Sequence, residues 1–200
     1  MTRYRQAVRS LLRDQILDAA YEQVTASGWS KLTVAGVSRI AGVSRQTVYN
    51  EFGSNSKDAV GLALVEREAE RFMLGIAREL DAHRDALADA ARAGVGFVLR
   101  SATDNPLIKS VLTAARGGED DELLAYLTTR PEPVFETARS MLDAYAADAW
   151  PEVDADSRSL AVETIVRLTV SHIVQPTASP EETADRIARI TTRVAYPGAG

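Results

Sequence analysis

The chain has 200 residues, enough for one large domain or a small domain joined to a larger one, and its 46 % hydrophobic and 26 % charged residues are those of an ordinary globular protein. The lack of cysteine excludes disulfides and thiolate metal sites and fits a reducing cytoplasm; no apolar run approaches the ~18–20 residues that span a bilayer, and the basic start MTRYRQAVRSLLRDQ lacks the apolar core of a secretory signal. Net charge is −5, but residues 1–58 carry eight basic and five acidic side chains, so the acidic excess lies beyond them, a pattern that a modular nucleic-acid binder would show.

Taken in order, the segments are all helical, with Gly and Pro between them and no sustained alternating run of β-branched residues. A first helix over about 5–27 carries Leu12, Ile16, Ala20 and Val24 on one stripe, and Gly28 ends it. Thr33 can cap a short second helix with Val34, Val37 and Ile40 inward, Gly42-Val43 makes a turn, and Ser44 can cap a third helix that runs to Phe52 and stops at Gly53. A long helix over 56–80 places Leu62, Val65, Ala69, Phe72, Ile76 and Leu80 on one face; the next, near 84–103, turns Leu87, Ala91, Val95, Val98 and Ala102 inward. Asn105-Pro106 opens a helix ending at Gly117-Gly118, and 119–150 is helical with a break at 130–133. Helices over 155–174 and 180–195 finish the chain, the last opened by the capping box Ser179-Pro180-Glu181-Glu182.

Residues 33–52, TVAGVSRIAGVSRQTVYNEF, therefore spell a helix, a tight turn and a second capped helix, with Ala41, Val43, Val48 and Phe52 placed to lock the pair: a helix-turn-helix. The second helix exposes Arg45, Gln46, Thr47, Tyr49 and Asn50. Arg and Gln can bond guanine and adenine edges in two places at once, and Thr and Tyr suit phosphate or a thymine methyl. Beyond this motif, Ile16-Leu17-Asp18-Ala19-Ala20, Gly28, Leu32-Thr33-Val34, Ile40-Ala41-Gly42-Val43-Ser44 and Thr47-Val48-Tyr49-x-x-Phe52-Gly53-Ser54 stand in an order and spacing that resemble the DNA-binding domain of TetR-family regulators. The resemblance implies an all-α protein: a three-helix head (1–55) that binds double-stranded operator DNA, and a larger effector-binding and dimerisation body (56–200). The implied DNA-binding residues are Thr33, Ser44, Arg45, Gln46, Thr47, Tyr49, Asn50 and Lys57. The sequence departs from the family at Glu51, where His or Tyr usually approaches phosphate, and at Asn55, where a lysine is usual and Lys57 follows two residues later. Arg3, Arg5, Arg9 and Arg13 form either a groove-reaching arm or a solvated end.

In the body, Phe72, Ile76, Phe97, Leu112, Tyr126, Phe135 and Met141 are candidates to line a cavity, with few charges beside them; an apolar or amphipathic effector, acyl-like in form, fits better than a charged one. The stripes Val162, Ile165, Val166, Thr169, Ile173 and Thr183, Ile187, Ile190, Val194 serve either as internal core or, as the resemblance implies, as a homodimer interface built by two copies. No cofactor or metal is expected. Neither histidine has the Glu-x-x-His spacing of carboxylate metal bundles, Gly117-Gly118 is no phosphate loop, and Glu119-Asp120-Asp121-Glu122 reads as an acidic helix start or a cation site. The reading is a repressor released from a palindromic operator by its effector. The alternatives are an activator, an effector-independent regulator, and an all-helical enzyme or interaction module whose helix-turn-helix is only structural.

Overall fold

Helix ends in this chain are set by local chemistry, and the structure, a computed structural model describing residues 2–105 and 132–198, shows how. Among these residues are eight α-helices: α1 (Thr2–Ser27), α2 (Val34–Ala41), α3 (Arg45–Phe52), α4 (Ser56–Ala82), α5 (Leu87–Asp104), α6 (Glu132–Ala149), α7 (Ala155–Val174) and α8 (Pro180–Ala195), with a 3-10 turn at Trp29–Lys31. Four helices start on a side-chain cap. Thr33 accepts from the Gly36 amide at 3.1 Å, Ser44 from Thr47 at 3.0 Å, Asp154 from Ser157 at 3.0 Å and Ser179 from Glu182 at 3.2 Å. Gly42 ends α2 at φ 67°, a left-handed conformation that glycine adopts without a Cβ clash. The expected helices between Pro106 and Arg130, with Gly117-Gly118 and the acidic run 119–122, lie outside the described residues.

The chain forms two compact units, the first reaching to Glu70 and the second starting at Arg71. The head thus extends past the 55/56 division read from the sequence, because the first turns of α4 supply part of its core. Val60, Ala63 and Leu64 are buried, and Arg67 bonds Asp18 of α1 at 2.8 Å. A methyl on Gly61 would meet the Trp29 ring at 3.1 Å, so the 3-10 turn and α4 are in close contact. With Ile16, Leu17, Ala20, Leu32, Val37 and Val48, these residues make the core of the head. The expected α4 stripe is wrong in this half. Leu62 and Ala69 are exposed, and the inward face instead carries Val60, Ala63, Leu64 and Glu68. Glu68 is tolerated there because Arg67 pairs with it at 3.2 Å.

In the body, α5 packs on α7 and α8, α8 on α7, and α6 on α7. One apolar cluster gathers Leu80, Ala90, Ala146, Trp150 and Val153; a second gathers Val95, Leu99, Ala102, Ile173, Ala184 and Ile187. The second cluster places much of the two stripes read on the last two helices inside the chain's own core. Thr183 and Ile187 are 2 % and 1 % exposed, and Val162, Thr169 and Ile173 are also buried within one chain, leaving almost no surface for a partner. Ile165, Val166 and Val194 are half-buried; Ile190, 45 % exposed, and Leu160 are the large apolar side chains that α7 and α8 leave open. His83 is exposed, and half-buried His172 bonds the Leu168 carbonyl oxygen through Nδ1 at 2.8 Å. No helix among the described residues is long and apolar enough to cross a membrane.

Candidate nucleic-acid interface

Helix α3 is held from beneath and left open above. Val48 is fully buried, and the α2–α3 turn is tied to α1 by Gln15, which donates to the Ala41 carbonyl at 2.7 Å. On the other side Arg45, Gln46, Tyr49 and Asn50 are exposed. Gln46 donates to the Asn50 carboxamide oxygen at 2.9 Å, so two neighbouring exposed amides are mutually oriented. Thr47 is half-buried, and its hydroxyl lies 2.8 Å from that of Ser44. Ser44 and Thr33 are capping residues first: each hydroxyl oxygen accepts an amide of its own helix, and Thr33 is also 3.4 Å from Gln23 Nε2. Lys57 is exposed in the first turn of α4, and Asn55 donates to Asp58 at 2.7 Å. The outcome is a rigid, solvent-facing row of donors and acceptors over the two turns of α3, with the first-turn amides adding positive potential at its start. Such a row suits base edges in a major groove.

Sequence reasoning missed what surrounds Glu51. Its carboxylate is not free: Arg9 Nε bonds both oxygens at 3.0 and 3.1 Å, and Arg13 Nη1 lies 3.8 Å away with its guanidinium 4.5 Å over the Phe52 ring. The partners are about forty residues apart in the chain, so no local pattern could reveal the pairing. The basic start is also a helix and not an unstructured arm, although the side chains of Arg3 and Arg5 lie outside those described.

Residues 16–64 match the family described as bacterial regulatory proteins, tetR family, and residues 85–193 match the bacterial tetracyclin repressor C-terminal domain. The chain belongs to the TetR family. It is therefore a bacterial DNA-binding transcriptional regulator of the helix-turn-helix type and not an enzyme. It is 36 % identical over 190 residues to the HTH-type transcriptional regulator AlkX of Mycobacterium tuberculosis, covering 94 % of this chain and 87 % of that one. Among solved structures it resembles the TetR family repressor AlkX from Dietzia sp. strain DQ12-45-1b, described as implicated in biodegradation of n-alkanes. The identity is 26 %, the coverage 91 % and 94 %, and the TM-score 0.61. The fold is also that of the fatty acid degradation regulator FadR from Bacillus halodurans, at 18 % identity, 94 % and 96 % coverage and TM-score 0.54.

The body contains an apolar cavity of about 60 Å³, lined by Leu80, Leu87, Leu142, Tyr145, Trp150, Val153, Arg158 and Thr191 among others. Of the cavity residues expected from the sequence, the four with described side chains, Phe72, Ile76, Phe97 and Met141, are not among its lining. Phe72 and Phe97 stack on each other at 5.8 Å, and the Phe97 ring lies so close over Gly75 that no Cβ would fit; these rings fill space and do not enclose it. Ile76 packs at the edge of the Leu80–Trp150 cluster and Met141 is half-buried. Leu112 and Tyr126 lie outside the described residues, and Phe135 outside those whose side chains are described. Around the cavity most polar groups are already engaged. The Tyr145 hydroxyl donates to Asp81 at 2.9 Å, the Trp150 indole to the Arg84 carbonyl at 3.0 Å, and Arg158 Nε to Asp143 at 3.1 Å. The Thr191 hydroxyl is buried and has no hydrogen-bond partner among the described residues.

Proposed function

We propose that this regulator is a cytoplasmic repressor that binds a near-palindromic operator as a homodimer, reads it with Arg45, Gln46, Thr47, Tyr49 and Asn50, and leaves it when an apolar or amphipathic, acyl-like effector occupies the body. The observation that carries the effector half of this reading is the cavity: apolar walls, with the Thr191 hydroxyl the one buried lining group without a partner among the described residues. Such a site rewards a hydrocarbon chain and discriminates weakly at one polar end. The Dietzia repressor's link to n-alkane degradation supports the same class of ligand. At about 60 Å³ the cavity is far below the ~300 Å³ of an ordinary ligand pocket, so a long chain must widen it. That requirement gives the ligand different affinities for two body shapes, without which it could shift no equilibrium. α4 is shared by both units and is the element through which a widened body would act on the head. Dimerisation is supported by Leu160 and Ile190, large apolar side chains left open on α7 and α8, with half-buried Ile165, Val166 and Val194 on the same helices.

The test begins with a duplex selected from a random pool by the parent protein. Fluorescence anisotropy then follows its release by a straight-chain alkane, the matching 1-alkanol and the matching fatty acid. Release by any of the three at unchanged fold supports the reading; tight operator binding that none of them alters removes the effector and leaves an effector-independent regulator. Binding that an effector strengthens makes the protein ligand-activated for DNA binding instead.

A further inference from the structure

Glu51 closes the last turn of the helix that faces DNA, an improbable place for a carboxylate beside a polyanion. Its side chain is only 9 % exposed, clasped by Arg9 through both oxygens and approached by Arg13, which is itself fixed over Phe52. The trio carries one net positive charge. Arg9 is bound through Nε alone; its side chain is 68 % exposed, and no described residue takes its two terminal nitrogens. We propose that Arg9 is a phosphate-contacting residue of the DNA complex and that Glu51 is the positioning residue that aims it. This rests on the reading of α3 as the helix that enters the groove.

The placement follows from dimensions. Glu51 lies six residues beyond Arg45 on α3, roughly 9 Å along the axis at 1.5 Å per residue. The major groove is about 12 Å wide and its walls are phosphates, so a cation tethered to the far end of a base-reading helix stands at the wall and not over the bases. An arginine held at one nitrogen presents the other two in a fixed fork, the geometry a phosphate accepts. Without the carboxylate the same side chain, projecting from α1, would search freely and lose that registration. Arg9 and Arg13 also precede the part of the chain that matches the family's DNA-binding region, which begins at residue 16.

The experiment measures binding of the full-length parent, Arg9→Ala and Glu51→Gln to the selected duplex and to a scrambled duplex of equal length, between about 50 and about 200 mM salt, with folding checked by circular dichroism. Arg9→Ala is expected to weaken both complexes and to lower the log–log salt slope by about one per protomer. Glu51→Gln removes a negative charge and so strengthens scrambled-duplex binding, but loses the registered contact, so the ratio of selected to scrambled affinity falls several-fold. An unchanged salt slope in Arg9→Ala, with only the melting temperature moved, makes the pair purely structural and overturns the proposal. An equal gain on both duplexes in Glu51→Gln overturns the positioning role. A parent that selects no duplex defeats the α3 reading itself, an outcome distinct from either.

Discussion

On the exposed side of α3 in the head the polar side chains are oriented by one another and face outward, whereas in the body most polar groups around the cavity are bonded away from it. Gln46 and Asn50 orient each other, Ser44 and Thr33 cap their helices, and Glu51 holds Arg9. Around the cavity, Tyr145, Trp150 and Arg158 turn their donors to Asp81, the Arg84 carbonyl and Asp143. The difference teaches how one chain divides rigidity. In the proposed complex, reading bases needs donors held in place before DNA arrives, and the hydrogen bonds of the head would supply that registration. The body keeps a void and, among the described residues, one unpaired buried hydroxyl, both of which cost stability; under the proposed function it is the unit whose shape a ligand would move.

The largest effect that would sharpen this contrast comes from Ile187→Glu. Ile187 sits among Val95, Leu99 and Ala184, so an unpaired carboxylate there should destabilise the body by more than about 3 kcal/mol. We expect loss of body helicity and of operator binding together. A folded variant would show that the side chain faces a partner and not its own core. Leu160→Glu with Ile190→Glu is the complementary case: both side chains are open, so the fold should survive while light scattering reports a monomer and operator affinity collapses. An unaltered dimer mass would move the interface off these residues.

A smaller effect is expected in the head. Arg45→Ala removes an exposed side chain from the first turn of α3 without touching Val48 or the caps. It should weaken specific binding by about 1–3 kcal/mol if Arg45 bonds a base in two places, with the melting temperature unchanged. Equal selectivity in parent and variant would move base reading to Gln46, Tyr49 and Asn50.

The same contrast governs what the sequence could reveal. Helix starts at Thr33, Ser44 and Ser179 and the turn at Gly42 are local signals, each read within a few residues, and each is found in the structure. Val37, Ala41 and Val48 follow from the helical period alone. Long-range facts escaped. Trp29 in the 3-10 turn and Leu32 just after it enter the core from a stretch that has no periodicity, and α4 buries Glu68 while exposing Leu62 because Arg67 pairs it and bonds Asp18 of α1. The cavity is lined by side chains from Leu80 to Ala195, and which apolar residues enclose a space and which fill it depends on neighbours that periodicity does not specify. Phe72 and Phe97 filled each other.

The smallest expected effect tests the weakest point of the body. Thr191 lies on α8 with its hydroxyl buried and unpartnered among the described residues, where an unmet hydrogen bond costs about 1–3 kcal/mol. Valine has nearly the same shape and no such group. Thr191→Val should therefore stabilise the ligand-free protein by about 1 kcal/mol, a rise of roughly 2–4 °C in melting temperature. It should leave release by an alkane intact and weaken release by the matching 1-alkanol or fatty acid, because only a polar end can use the hydroxyl. Destabilisation by a similar amount would mean that Thr191 already has a partner, and the cavity would then carry no polar determinant at that wall. Equal loss with all three ligands would point to altered packing of α8 and not to recognition of a polar end.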